Sequence, residues 1–157
     1  MPELKRALEK AGFTEVKTVI SSGNVVFSSR AASERTIEKQ CEAAMEASMK
    51  KRFMTFVRSI DALEALLARD PFLQHRLPDH AKRNVTFLRA IPKPAPRFPV
   101  VMKGGEILAA EGREAFLYYV PGLADPSFMT VIEKTFGKEI TTRTWDTVSR
   151  IVKAGRA

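Results

Sequence analysis

The order of apolar and polar positions in the first part of the chain predicts three helices, one β-hairpin and one strand. Leu4 and Leu8 recur at helical spacing, and β-branched residues flank a glycine turn at 21–24. Segment 52–58 carries apolar residues on both faces, which predicts an interior strand covered on both sides. The predicted elements are a helix over 2–11, hairpin arms over 16–21 and 24–29, a helix over 33–50, the strand over 52–58, and a helix ending at 70 that Ser59 or Asp61 caps.

The second part of the chain repeats much of this order after a polar connector over 71–83. The pattern predicts a strand over 84–91, a proline-rich passage over 92–99, hairpin arms over 106–111 and 115–120, a helix from Asp125-Pro126 to Gly137, a strand over 139–144 and a last helix from Trp145 to about 155. We therefore predict an α+β fold with two tandem ferredoxin-like βαββαβ halves and trailing helices. The domains are a first half over 1–70, the connector over 71–83 and a second half over 84–157.

The first half matches the second only if one strand precedes Met1. In a ferredoxin-like sheet that strand lies in the interior, so its absence leaves neighbouring backbone groups without partners. We expect either that the native chain begins upstream or that the gap is filled in another way. An exposed sheet edge of this kind also predicts a homodimer.

Composition narrows the class of protein further. The 157 residues hold 45% hydrophobic and 28% charged residues, a single cysteine and a formal net charge of +8. No stretch is long and apolar enough for a membrane span or a signal peptide, which predicts a cytoplasmic protein without a disulfide framework. The positive charge favours acidic partners, namely nucleic acid or a phosphorylated small molecule. No cofactor signature occurs.

Two short stretches are candidates for binding an anion. Ser22, Gly23 and Asn24 can form a backbone nest for a phosphate or carboxylate, or they serve only as a hairpin turn. Thr142, Arg143 and Trp145 lie where a strand leads into a helix N-terminus, where backbone N–H groups favour anions. The alternative for this second stretch is that Trp145 anchors the core and Arg143 is solvated.

The C-terminal basic residues suggest a nucleic-acid surface. Arg143, Arg150 and Lys153 are the candidates, and Lys50-Lys51-Arg52 and Lys82-Arg83 add two further patches. The alternative is a set of solvated helix faces. The sequence predicts no metal site, because His75 and His80 lack further ligands at a suitable spacing, and Cys41 lies on an apolar helix face.

Four stretches resemble the domain-of-unknown-function family 1697 of small bacterial proteins. They are Met1-Pro2-Glu3-Leu4 with Ala11-Gly12-Phe13, Ser22-Gly23-Asn24-Val25-Val26-Phe27, Val57-Arg58-Ser59, and Thr141-Thr142-Arg143-Thr144-Trp145-Asp146-Thr147-Val148. The resemblance runs over essentially the whole chain and implies an α+β fold with two related halves, but no biochemical role. The family's usual first strand and glycine loop are missing here. Thr144 and Ser127-Phe128 also depart from its pattern, which puts a shared anion site in doubt.

These observations favour a non-catalytic binding module for an anionic partner, with nucleic acid as the leading candidate. The alternative is a small-molecule enzyme or sensor with a phosphate or carboxylate site between the two halves. The sequence does not decide whether the protein is an enzyme.

Overall fold

The computed structural model describes residues 2–20 and 23–157. The described residues form a mixed α+β fold with five α-helices and two antiparallel sheets, which confirms the predicted fold class. In chain order the elements are α1 (Pro2–Lys10), β1 (Thr14–Val19), β2 (Asn24–Ser28), α2 (Glu34–Met49), α3 (Ile60–Arg69), a short 3₁₀ helix (Pro71–Gln74), β3 (Lys82–Leu88), β4 (Val100–Met102), β5 (Gly105–Glu111), β6 (Glu114–Tyr119), α4 (Ser127–Phe136), β7 (Ile140–Thr144) and α5 (Trp145–Arg156).

The chain divides into two compact units. The first unit comprises Met1–Ala68 with Asp146–Ala157, and the second comprises Arg69–Trp145. This division differs from the predicted halves at the connector and at the last helix, whose residues from 146 onward belong to the first unit. The equivalence of two ferredoxin-like halves is not confirmed, because the sheet that the described residues of the first unit form has two strands, β1 and β2.

The core of the first unit lies between α1, α2 and the β1–β2 hairpin. Leu4 and Leu8 of α1 pack with Cys41 and Met45 of α2, and all four side chains are buried. The two residues of each helix lie four positions apart, so each helix presents one apolar face. Ser33 caps α2, since its side chain accepts a hydrogen bond from the Thr36 N–H at 3.1 Å.

Helices α3 and α5 contact each other within the first unit. Arg156 of α5 bonds Asp61 and Glu64 of α3, with 3.0 Å to the Glu64 Oε1 atom. A Cβ atom at Gly155 would lie 2.5 Å from the Ile60 Cδ1 atom, so α5 passes close to the Ile60 side chain at this crossing. Ser59 is the residue that caps α3, accepting from the Ala62 N–H at 3.1 Å.

The predicted strand over 52–58 is wrong. Segment 51–59 has no strand assignment, and Phe53 and Met54 are 43% and 47% exposed rather than covered on both faces. Two carboxylates of α2 take the place of a neighbouring strand: Thr55 N–H donates to Glu42 Oε2 and Val57 N–H donates to Glu38 Oε2, both at 2.9 Å. Side-chain acceptors therefore satisfy the backbone groups that a ladder would otherwise pair.

The spacing of its carboxylates explains why helix α2 can pair with an extended segment. Carboxylates four residues apart on a helix are separated by about 6 Å along its axis. Alternate N–H groups of an extended chain repeat at about 6.6 Å, so the two series nearly match. Glu38 and Glu42 are 1% and 5% exposed, and Arg58 adds a hydrogen bond to the Val57 carbonyl at 2.8 Å. Arg58 also lies 4.0 Å from Glu38 Oε2 and compensates its charge.

The second unit is built on one antiparallel sheet with the strand order β4-β5-β6-β3-β7. One face packs on α4, where Ile107, Leu117 and Ile132 are fully buried. The predicted second hairpin is confirmed as β5–β6, whereas β4 was not predicted. Strand β3 spans Lys82–Leu88 rather than 84–91, and Ile91, beyond its end, is 58% exposed.

Part of the predicted polar connector belongs to the core of the second unit. Phe72 of the 3₁₀ helix is buried, and its ring lies edge-on to Phe116 at 5.9 Å and to Trp145 at 5.0 Å between centroids. Asp70 caps this short helix by accepting from the Phe72 N–H at 3.1 Å. The connector is therefore an anchored segment rather than a linker.

We predict that Glu38→Ala lowers the free energy of unfolding by about 3 kcal/mol, since it removes the buried acceptor of the Val57 N–H and a carboxylate beside Arg58. Glu46→Ala is the matched control on the same helix, because Glu46 pairs with Arg52 at the surface and should cost less than about 1 kcal/mol. Urea unfolding followed by circular dichroism measures both. Equal losses would contradict the role given to Glu38.

A second prediction concerns the two turns that flank β5. A Cβ atom at Gly104 would lie 2.4 Å from the Ala124 nitrogen, whereas one at Gly112 would meet nothing within 4 Å. Both glycines have positive φ angles, +73° and +58°. Gly112→Ala should therefore cost about 1 kcal/mol, and Gly104→Ala should cost about 2 kcal/mol more through the clash. Thermal unfolding of both variants tests this, and equal costs would refute the close approach at Gly104.

Candidate functional site

The hairpin tip of the first unit holds two of the predicted anion-binding residues. Gly23 has a φ angle of +83°, and Asn24 is buried and pairs with Val19 in the β1–β2 ladder. Ser22 lies outside the described residues. A Cβ atom at Gly23 would meet nothing within 4 Å, so the backbone angle rather than a close approach calls for glycine there. The described geometry accords with a turn, and the nest stays a prediction.

Arg143 lies on β7, an edge strand of the second unit's sheet. Its Nη1 atom donates to the Thr141 Oγ1 atom at 2.7 Å and to the Thr142 carbonyl at 3.0 Å. The side chain is half-buried, and this burial lowers the pKa of the guanidinium from its ordinary value. Arg143 is therefore a positioned cation in a partly desolvated place.

The sheet brings a second arginine close to Arg143. Arg143 pairs with Val85 across the β3–β7 ladder, so Arg83, two residues before Val85, projects from the same face at a diagonal position. Diagonal Cβ atoms in an antiparallel pair are about 7–8 Å apart. Arg83 lies 3.6 Å from Asp70 and stacks over the Phe72 ring at 5.8 Å. The sequence marked both arginines as basic residues but could not show that they share a face.

Thr142 and Trp145, the other candidates of this stretch, have structural roles in the second unit. The Thr142 hydroxyl lies on the opposite face from Arg143 and hydrogen-bonds the Thr86 hydroxyl at 2.7 Å. Trp145 is buried, and its ring packs edge-on to Phe72. The indole ring is thus part of the core and does not present a face for stacking on a base.

Arg150 and Lys153 lie on the part of α5 that belongs to the first unit. Both are exposed, and Arg150 forms an ion pair with Asp146 at 2.9 Å. Exposed pairs of this kind are weak, so Arg150 keeps most of its solvation. The predicted role of these two residues in binding nucleic acid stays a prediction.

Comparison with known proteins gives a family and a fold. Residues 1–116 match the family described as "Protein of unknown function (DUF1697)". The chain belongs to this family. No curated protein matches the chain. The conserved bacterial protein SP0830 from Streptococcus pneumoniae has a similar structure, with a TM-score of 0.67 and 17% sequence identity over 100% of this chain and 89% of that chain.

Three of the four sequence stretches lie within the matched residues and 141–148 lies beyond them, so the DUF1697 match confirms the family resemblance. It extends from the first helix into β6 and includes Arg83, whereas Arg143 and Trp145 lie beyond it. At 17% identity, the likeness to SP0830 concerns the fold alone. None of the helices that the structure describes is long and apolar enough to cross a membrane.

The single cysteine of this DUF1697 protein lies in the core of the first unit. Cys41 is 2% exposed, and burial, together with the nearby Glu42 and Glu38 carboxylates, raises the pKa of its thiol to about 12. A thiol with so high a pKa carries no thiolate for nucleophilic attack at neutral pH. Among residues 2–20 and 23–157, no three His, Cys, Asp or Glu side chains are grouped to hold a metal ion.

We predict that Cys41 in the folded protein does not react with iodoacetamide at pH 8, because the reagent attacks thiolate and the thiol stays protonated well below its pKa of about 12. Unfolding in urea should restore the ordinary thiol pKa and permit full labelling. Intact-mass spectrometry after timed quenching measures both states. Equal labelling rates in the two states would show that Cys41 is accessible.

Proposed function

We propose that this DUF1697 protein is a non-catalytic binding module for an anionic partner, with nucleic acid as the leading candidate. The observation that supports this proposal is the half-buried guanidinium of Arg143, held by Thr141 and Thr142 on an edge strand. Phosphate and carboxylate groups both suit such a planar, charged donor, and the phosphates of a nucleic acid are the candidates that we favour.

Desolvation is the physical reason why Arg143 favours an anion more than a surface arginine does. Burial destabilises the charged guanidinium, as the lowered pKa indicates. An incoming phosphate would compensate this cost, and the Coulombic attraction between the two charges is stronger in a medium of lower dielectric constant. Arg83 on the same face adds a second positive group for the next phosphate of a polymer.

The buried indole restricts which features of a nucleic acid this surface can use. Because Trp145 packs inside the second unit, the proposed contacts are with phosphates rather than with unstacked bases. Such contacts carry little sequence information and depend strongly on salt. The excess of basic residues, +8 over the whole chain, adds a favourable long-range field.

The fold proposal is that the second unit is a ferredoxin-like βαββαβ module. Strands β5, β6, β3 and β7 follow one another in the sheet as antiparallel neighbours, which is the order expected if they are the second, third, first and fourth strands of such a unit. The proline-rich passage would then replace the first crossover helix. We propose that the β1–β2 hairpin of the first unit corresponds to β5–β6.

Binding to labelled single- and double-stranded oligonucleotides at several NaCl concentrations tests the proposed function. We expect fluorescence anisotropy to show binding at low salt that weakens as salt rises. Arg143→Gln should weaken binding about tenfold and reduce the salt slope by about one. Arg143→Lys should recover part of the loss, since it keeps the charge but not the planar fork.

Arg97→Gln is the matched control, because it removes the same charge from an exposed position in the proline-rich passage. Failure to bind any oligonucleotide at low salt would refute the nucleic-acid proposal. Binding that is equally weakened by Arg97→Gln and Arg143→Gln would show a diffuse charge effect instead of a site. Competition by pyrophosphate at oligonucleotide-like affinity would favour the small-molecule alternative.

A further inference from the structure

We propose that a hollow at one end of the second unit's sheet binds a small organic phosphate with a flat apolar group. The hollow is open to solvent, has a volume of about 460 Å³ and is lined by His80, Ala81, Lys82, Val120 and Pro121. This volume lies within the range of sites for small ligands. The hollow is separate from the position of Arg143, so the inference does not rest on the proposed function.

One wall of the hollow supplies positive charge. Lys82 is the first residue of β3 and pairs with Tyr119 of β6, so its side chain leaves from the end of a regular ladder. His80 precedes it in a turn that the Ala81 N–H closes on the Pro78 carbonyl at 3.3 Å. Lys82 and His80 are exposed, and Asp79, the nearest acid in sequence, does not line the hollow. An ammonium and an imidazole on one wall suit a phosphate group.

The backbone of His80 also has a conformation that residues other than glycine rarely adopt. Its φ angle is +65°, in the left-handed region. This conformation lies in the turn just before β3, and His80 is one of the lining residues of the hollow. Such backbone outliers concentrate at functional sites, and here one coincides with a hollow and a lysine.

The part of the lining that Val120 and Pro121 contribute is apolar, and backbone hydrogen bonds hold it. The Val120 N–H donates to the Gly104 carbonyl at 2.8 Å, and the Leu123 and Ala124 N–H groups both donate to the Val120 carbonyl at 3.1 Å. This turn packs so closely on the Gly104 backbone that a Cβ atom there would clash with it. Val120 and Pro121 therefore form a rigid apolar surface, which favours a ligand with a flat apolar group beside its phosphate.

Nuclear magnetic resonance offers a direct test, because the chain has two histidines and only His80 lines the hollow. Long-range ¹H–¹⁵N spectra of the imidazole rings are recorded while phenyl phosphate, inorganic phosphate or benzoate is added at fixed pH. We expect phenyl phosphate to shift the His80 ring with saturation and to leave His75 unchanged. Inorganic phosphate, which cannot use the apolar wall, and benzoate, which has a smaller charge, should bind more weakly.

Lys82→Ala should weaken phenyl phosphate binding about tenfold, and Lys93→Ala, at an exposed lysine outside the hollow, should have no effect. Parallel shifts of both histidines, shifts without saturation, or unchanged affinity in Lys82→Ala would overturn the proposal. Inorganic phosphate that binds as tightly as phenyl phosphate would overturn the proposed apolar contact. Benzoate that binds as tightly as phenyl phosphate would overturn the proposed preference for phosphate. Oligonucleotide binding by Lys82→Ala, measured separately, distinguishes failure of this site from failure at Arg143.

Discussion

The pair of carboxylates on α2 governs how the first unit holds its extended segment. Glu38 and Glu42 accept the N–H groups of Val57 and Thr55 at 2.9 Å, and both carboxylates are almost completely buried. Burying two charges costs free energy unless hydrogen bonds and opposite charges compensate them. The segment's own N–H groups and Arg58 supply that compensation. Helix, segment and charge network therefore stabilise one another, and a chain region without a strand partner still has its backbone satisfied.

In the second unit, an antiparallel sheet decides which charged residues meet. The β3–β7 register places Arg83 and Arg143 on one face although sixty residues of sequence separate them. The same register places the Thr86 and Thr142 hydroxyls together on the other face. An edge strand lets Arg143 be positioned by its own neighbours while it remains half-exposed. This combination of fixed geometry and partial desolvation supports the proposal of an anion-binding surface.

Two turns show how the backbone of the second unit is kept rigid at its periphery. The turn that begins at Val120 is closed by its own hydrogen bonds and packs against Gly104. The 3₁₀ helix that follows Asp70 is fixed by the Phe72 ring, which packs on Phe116 and Trp145. Both segments resemble loops in sequence. Their order comes from close backbone approach and aromatic packing.

The sequence by itself determined the α+β class, the helices, both hairpins and the family, because apolar periodicity and turn residues act locally along the chain. The sequence also offered a place in the core as one of two alternatives for Trp145. The tertiary structure alone decided that segment 52–58 is held by Glu38 and Glu42, that β4 joins the sheet, and that Arg83 and Arg143 share a face. These features depend on groups that are distant in sequence. A local pattern can predict an extended segment, but it does not specify whether the N–H groups of that segment pair with another strand or with carboxylates of a helix.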